Sequence, residues 1–441
     1  MQKITISAQT IDTHYAVLNR IGGLGDQPQD GFSRAAYSDE ETAAMQYIEQ
    51  QAMQAGLTTR WDAIGNLCVE TKQDHADWVE CGSHVDTVSQ GGNFDGLAGV
   101  VAGLVAIIAC KDLKRAHGLR LRVWRGEESA SFGITSIGAY AAFGQLSASH
   151  LEASYDGQSL AQAMLAQDAQ PHTIQAGKAS INQHELDHIL AHIELHIEQG
   201  IVLEKEGVDI GIVSGIRASA RFWVSLEGEF DHSGATPMGT KYRKDSHLAL
   251  AYILVGLDQL LKEYQSKTPQ LDLVQTIGHI NNHAEHNAQK QATAQHAISK
   301  VSGYAYFSFE VRSCDDQLRQ RYLEEAKAFI KKTAATFVVQ ANIQTISQST
   351  GVPKLDAQLQ QQSQHICDAF GYRHRSLASG AWHDAALVAQ QQQSRLKNVP
   401  VAMIFIPCLK GKSHAPEEFS SSQQIAKGAS VLATLMQQGH E

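Results

Sequence analysis

The stretch CGSHVDTVSQGGNFDGLAGVVAGL, residues 81–104, carries His84, Asp86 and Asp95 and then runs into small and apolar residues. With its flanks it predicts a strand over WVECGSHVD (78–86) and a buried helix over GLAGVVAGLVAIIAC (96–110), the second being apolar all round. A histidine and two carboxylates at that junction admit two readings. One is an ordinary strand end and turn leading into a core helix. The other is a metal site at the mouth of a sheet. The same alternation continues outward, with strands expected over LRLRVWRG (119–126) and IELHIEQG (193–200). Upstream, Ser38 and Glu41 form a capping box ahead of Ala44, Tyr47, Ile48, Ala52 and Leu57 at helical spacing, with Gly56 as terminator. Strands separated by helices predict an α/β fold, a mostly parallel sheet covered on both faces. Sites in such sheets gather at the carboxyl ends of strands, where the quoted stretch falls.

The pattern changes near residue 216. RFWVSLEGEF (221–230), LDLVQTIGHI (271–280), YAYFSFEVR (304–312) and FVVQANIQTIS (337–347) read as strands. Helices are expected over 244–264 and 316–337. The order β-α-β-β-α-β predicts an inserted ferredoxin-like α+β domain. The expected organisation is a catalytic domain in two parts, 1–215 and 351–441, with the insertion at 216–350. The second part contributes a helix over 355–372, whose Gln-rich face is solvated, and a strand at VAMIFIP that completes the sheet.

Length and composition bound the function classes. The 441 residues suffice for two or three domains, and 43% apolar content with 19% charged residues is that of a globular protein. A net charge of −10 gives no electrostatic reason to bind nucleic acid or an anionic membrane. No apolar stretch reaches the roughly 18–20 residues of a membrane helix, and the N-terminus lacks the pattern of a signal peptide. The six cysteines are scattered with no C-x-x-C pair, which argues against a disulfide framework or zinc ribbon and suits a cytoplasmic location.

Five places in the α/β portion offer imidazole or carboxylate near an expected strand end. They are His84, Asp95, the Glu127–Glu128 pair, His196 and His414. Each alone reads as well as a satisfied histidine or a solvated carboxylate. Together they form a ligand set that zinc, manganese, nickel and cobalt accept. On a strand, His84 and Asp86 project to one side, so Asp86 can fix the His84 ring. Asp95, with two oxygens, can bridge two metals. Of the glutamate pair, one can ligate while the other stays free as a base, and paired divalent ions acidify water toward neutral pKa.

GSHVDT, GGNFDGLAGVVAGL, the EE pair before Phe132, ELHIEQGIVLE, GEFDHSGATPM, SGAWHDA and GKSHAPEE follow one another in the order seen in the hydantoinase/carbamoylase-type amidases. This chain resembles that branch of the M20 metallopeptidase superfamily, which includes N-carbamoyl-L-amino-acid hydrolases, β-ureidopropionases and allantoate amidohydrolases. The resemblance spans almost the whole chain. It implies one metal held by His84, Asp95 and His196, and a second by Asp95, Glu128 and His414. Glu127 would be general base and proton shuttle. His232 would reach the partner subunit's site and stabilise the oxyanion. Gln199, Arg312, Gly380 and the Ser299 position would hold the substrate's ureido and carboxylate ends, with His383 and Asp384 in support. A homodimer through the inserted domain, with hinged closure, is also implied. The implied reaction is hydrolysis of the carbamoyl C–N bond of an N-carbamoyl-L-amino acid or related ureido acid, giving an amino acid, ammonia and carbon dioxide. Allantoate hydrolysis, a dipeptidase or aminoacylase activity, and a non-catalytic binding protein are the alternatives. Three departures from the family pattern bear on recognition: Ser131 in place of an arginine, Ser299 in place of an asparagine, and Trp382 in place of a glycine.

Overall fold

A computed structural model describes residues 2–25, 27, 30–72, 76–268, 271–281, 297–349, 351, 353–394 and 396–440. The chain divides into two compact units, Met1–Ile216 with Pro353–Glu441, and Arg217–Val352.

The first unit is built on an eight-stranded sheet. Its strand order is Thr58–Trp61, Leu67–Glu70, Gly118–Trp124, Trp78–His84, Ile189–Ile197, Val401–Ile406, Ile210–Ile216 and His374–Ser379. The four central strands from Gly118–Trp124 to Val401–Ile406 are mutually parallel, so their carboxyl ends lie on one edge. The Val401–Ile406 strand lies inside the sheet rather than completing it, and it pairs antiparallel with Ile210–Ile216. Two strands that hydropathy did not single out, Ile210–Ile216 and His374–Ser379, close that side in parallel.

The helix Leu97–Cys110 explains the small residues of the opening stretch. A Cβ on Gly99 would stand 2.1 Å from the Leu195 carbonyl, and one on Gly103 2.9 Å from Cys81 Sγ. Glycine at i and i+4 therefore lets this helix lie directly on the sheet. Helix Ser422–Gln438 packs beside it in the same core, and Gly428 approaches Leu195 and Ile406. On the helix Asp39–Gln54, only half of the capping box forms. Ser38 Oγ accepts the Glu41 N–H at 3.1 Å, but the Glu41 carboxylate turns to Arg125 Nη1 (2.7 Å) and the Gly126 and Tyr37 N–H groups. A buried arginine outcompetes the local cap for that carboxylate.

The second unit runs Ala218–Glu227, helix Ser246–Lys267, Val274–Thr276 with Ile280–Asn281, Tyr304–Ser313, helix Asp316–Thr336 and Gln340–Gln348. Its main sheet is antiparallel, in the order Val274–Thr276, Tyr304–Ser313, Ala218–Glu227, Gln340–Gln348. The strand expected over 271–280 breaks in two, because the Gly278 and His279 N–H groups both bond Ser308 Oγ before pairing resumes at Ile280. The strand expected from Phe337 begins at Gln340, after Val338 turns the chain at φ +55°. The segment HAEHNAQKQATA (283–294) lies outside the described residues.

Candidate active site

The parallel strands deliver the candidate donors to one edge. His84 is the last residue of its strand and His196 the next to last of the neighbouring one. The Gly118–Trp124 strand leads through Arg125 and Gly126 to Glu127 and Glu128, and the Val401–Ile406 strand leads to the loop with Ser413 and His414. Asp95 sits on the turn before the core helix.

These side chains form two triads that share Asp95. Its Oδ1 lies 3.5 Å from His84 Nε2 and 3.0 Å from His196 Nε2. Its Oδ2 lies 3.4 Å from His414 Nε2, which is 3.0 Å from Glu128 Oε1. Within each triad the donor atoms lie within 4.8 Å of one another. Each oxygen of Asp95 thus faces a different triad. Glu127 Oε2 stands 4.0 Å from His84 Nε2 and belongs to neither.

Asp86 is placed beyond the end of the strand rather than on it, and does more than hold a ring. Its Oδ1 is 3.2 Å from His84 Nδ1, while Oδ1 and Oδ2 accept the N–H groups of Glu127 (3.0 Å) and Glu128 (2.9 Å). His196 Nδ1 lies 2.9 Å from the Ile197 carbonyl. Both rings therefore have Nδ1 engaged and Nε2 directed inward, as ligating histidines require.

His383 packs edge-on against His196 at 4.5 Å between centroids, with its Nε2 2.8 Å from Ser379 Oγ. Glu194, His196 and His383 make a further donor grouping. The Glu194 carboxylate is already occupied by Ser83 Oγ and the Ala385 N–H, each at 2.9 Å, so it braces the edge from below. Asp384 is fully buried beside it, and burial with the Glu194 charge pushes its carboxyl up to about 8. Gln199, held at φ +54°, donates from Nε2 to Asp95 Oδ2 at 2.6 Å. Gly380 lies in the same unit, between the strand His374–Ser379 and His383.

His232, Ser299 and Arg312 belong to the second unit. His232 is exposed on a two-residue strand, and its Nδ1 accepts the N–H groups of Gly234 (3.1 Å) and Ala235 (3.0 Å). A neutral ring so held carries its proton on Nε2. Ser299 is adjacent, its carbonyl accepting the Ser233 N–H. Arg312 is 3.0 Å from Glu310 at the far end of the strand Tyr304–Ser313. The strand from Tyr304 to Arg312 spans about 26 Å at about 3.3 Å per residue, and His232 lies beyond the Tyr304 end, paired with Lys300.

Electrostatics show what the edge lacks. Burial raises the Glu127 carboxyl well above the ordinary range, with Glu128 and Asp384 adding to the effect, and burial raises Glu128. Burial alone would lower His84, but the Asp86 and Asp95 carboxylates outweigh it and hold the ring well above its usual value. Asp95 and Glu128 push His414 up to about 11. Among the described residues, no lysine or arginine pairs with Asp86, Asp95, Glu127 or Glu128. A buried carboxylate cluster whose ion-pair partners are all imidazoles is short of positive charge. Divalent cations fit it by charge and by donor type.

Acid–base groups and paired donor sets at the carboxyl edge of an α/β sheet define a hydrolase. The model of peptidase family M20/M25/M40 matches residues 68–438. The chain belongs to this family, whose members are metal-dependent, and to its hydantoinase/carbamoylase-type amidase branch. It is 30% identical to an N-carbamoyl-L-amino acid amidohydrolase of Geobacillus stearothermophilus over 94% of this chain and 95% of that one. It is 30% identical to a ureidoglycolate hydrolase of Oryza sativa subsp. japonica over 95% of this chain and 82% of that one. A crystal structure of a hydantoinase/carbamoylase family amidase from Burkholderia ambifaria superposes with a TM-score of 0.82 at 28% identity, covering 99% and 98% of the two chains. Among the described residues, no helix is long and apolar enough to cross a membrane.

Proposed function

We propose that this hydrolase cleaves the carbamoyl C–N bond of an N-carbamoyl-L-amino acid or a related ureido acid, releasing ammonia and carbon dioxide. The observation that carries the reading is the pair of donor triads sharing Asp95, with Glu127 beside them and outside both. His84, Asp95 and His196 would hold one divalent ion, and Asp95, Glu128 and His414 a second. When bound, such ions supply Lewis acidity and make water a nucleophile at neutral pH. Glu127, which stands beside both triads and belongs to neither, takes the proton of the attacking water and delivers it to the leaving nitrogen. His232 donates from Nε2 to the oxyanion, and Gln199, Gly380, Ser299 and Arg312 orient the substrate. Arg312 suits a carboxylate, which guanidinium grips with two parallel hydrogen bonds.

The inserted unit acts in this reading as a hinged lid and dimer interface. One internal distance supports the dimer. His232 and Arg312 of one copy stand too far apart to grip one small ureido acid, so a site using both takes them from two copies. Six cysteines without a disulfide among them fit work in the cytoplasm.

The relative named for ureidoglycolate makes a smaller ureido acid the second reading, with allantoate beside it. The test is ammonia release by the metal-loaded protein from N-carbamoyl-L-amino acids, β-ureidopropionate, allantoate and ureidoglycolate. Turnover of the first group supports the proposal. Exclusive turnover of allantoate or ureidoglycolate moves the substrate, and cleavage of dipeptides without ammonia overturns the reaction class.

A further inference from the structure

The GKSHAPEE stretch ends in two glutamates that play no part in the mechanism above. Glu417 is exposed, whereas Glu418 is 3% exposed and lies under the active site. Its Oε1 accepts the N–H groups of Phe94 and Asp95, each at 2.9 Å. Its Oε2 accepts the His414 N–H and the Ser413 hydroxyl, each at 3.2 Å. Among the described residues, no lysine or arginine forms an ion pair with it. A carboxylate buried this way is tolerable only because donors surround it, and these come from its own loop and from the loop of Asp95, 323 residues away in sequence.

Those loops carry Asp95 and His414, the donors that stand on either side of one metal position. His414 is itself strained, at φ +55°, a backbone state that persists only where its surroundings fix it. Gly92 leaves the room: a Cβ there would lie 2.3 Å from Glu418 Cβ. We infer that Glu418 is a positioning residue that sets the spacing of Asp95 and His414 and thereby the affinity of the metal position they share with Glu128. The inference rests on the two-ion reading.

The test uses the full-length protein stripped of metal and titrated with Co²⁺, following visible absorption and chelator competition, beside a melting curve of the metal-free form. Wild type binds two ions per chain. In Glu418→Gln the amide oxygen still serves Phe94 and Asp95, but its NH₂ confronts the His414 N–H. One ion should then bind about 10- to 100-fold more weakly, with its absorption bands altered, as in His414→Ala. The other ion and the melting temperature stay near wild type. Gly92→Ala displaces the same side chain without touching a ligand and should weaken binding likewise. Wild-type affinity for both ions in Glu418→Gln overturns the inference, as does loss of affinity only in step with melting temperature, which would make Glu418 a residue of the fold. Fewer than two ions on the wild-type protein is a separate failure. It overturns the two-ion reading and this inference with it.

Discussion

Gly96 offers the sharpest test of how the opening stretch builds the site. It sits at φ +63° and ψ −52°, and the Leu97 N–H bonds across it to the Asp95 carbonyl at 2.6 Å. That is a γ-turn of the strained, positive-φ kind, which a residue with a Cβ adopts only at a cost. An added Cβ would also lie 2.5 Å from three atoms of the His84 ring. Ordinary contact begins near 3.4 Å, so the ring would have to withdraw by about 1 Å. In Gly96→Ala the backbone term costs about 1–3 kcal/mol, and forced repacking about as much again. A donor moved by 1 Å exceeds the roughly 0.5 Å tolerance of a preorganised site. The expected result is a metal-free protein destabilised by about 2–6 kcal/mol, with the affinity of the His84 position at least tenfold weaker. Calorimetry of the metal-free form and chelator competition measure the two effects separately. Wild-type metal affinity in a folded Gly96→Ala protein would refute the argument, since the turn would then not govern where His84 stands.

Three further outcomes follow from the same geometry. Glu127→Gln should leave metal content intact and cut turnover by about 10²- to 10⁴-fold, whereas Glu128→Gln should lower occupancy of one position; identical metal analyses would void the division of roles. Glu80 bonds Arg122 at 2.8 Å and His192 at 3.1 Å, and although burial alone would raise its carboxyl, these partners and Arg120 hold it well below 4.5. Its contribution is therefore complete above that value and is lost as pH falls through the lower native one. Glu80→Gln should cost about 3–5 kcal/mol at pH 7 and less below pH 4 in thermal melts, and a pH-independent deficit would contradict this. Mixing Glu127→Gln with His232→Ala under conditions of subunit exchange should restore about a quarter of wild-type activity, because half of the dimers are mixed and each has one intact site; no recovery despite proven exchange would place His232 in its own subunit or outside catalysis.

The sequence was legible where one residue carries one signal. His84, Glu128 and His196 stand at or just past a strand end, Asp95 and His414 on the loops that follow, and the parallel ladder converts that into convergence at one edge. The all-round apolar opening helix was likewise legible as buried. What pattern could not show is competition for a side chain. Glu41 reads as a cap, yet Arg125, 84 residues away, takes it. Gln199, which the resemblance assigns to the substrate, also donates to Asp95, a bond no pattern announces. Strand order was hidden too, since Val401–Ile406 is apolar at every position and nothing local says whether such a strand lies at a margin or in the middle. Glu418 was missed because a glutamate in a polar loop carries no signal of burial. Its one sequence cue is Gly92, an apparently idle glycine whose missing Cβ makes room for it.

The buried carboxylates near this edge differ in what they bond. Asp95 and Glu128 face imidazoles. Glu41, Asp86 and Glu418 accept backbone N–H groups of Gly126, of Glu127 and Glu128, and of Asp95 and His414, and Asp86 faces the His84 imidazole as well. The loop carrying Glu127 and Glu128 is thus held by Glu41 and Asp86 from elsewhere in the chain, while Glu418, in the His414 loop itself, ties that loop to the one carrying Asp95. A neutral acceptor could satisfy the same N–H groups at lower desolvation cost, so fixing the loops does not by itself call for charge. Of the three, Asp86 adds to the rise that burial, above all, imposes on the Glu127 carboxyl, and its charge makes the edge more favourable to a doubly charged cation. Asp86 therefore fixes a loop and biases the site toward metal at once, so Asp86→Asn should disturb geometry and electrostatics together.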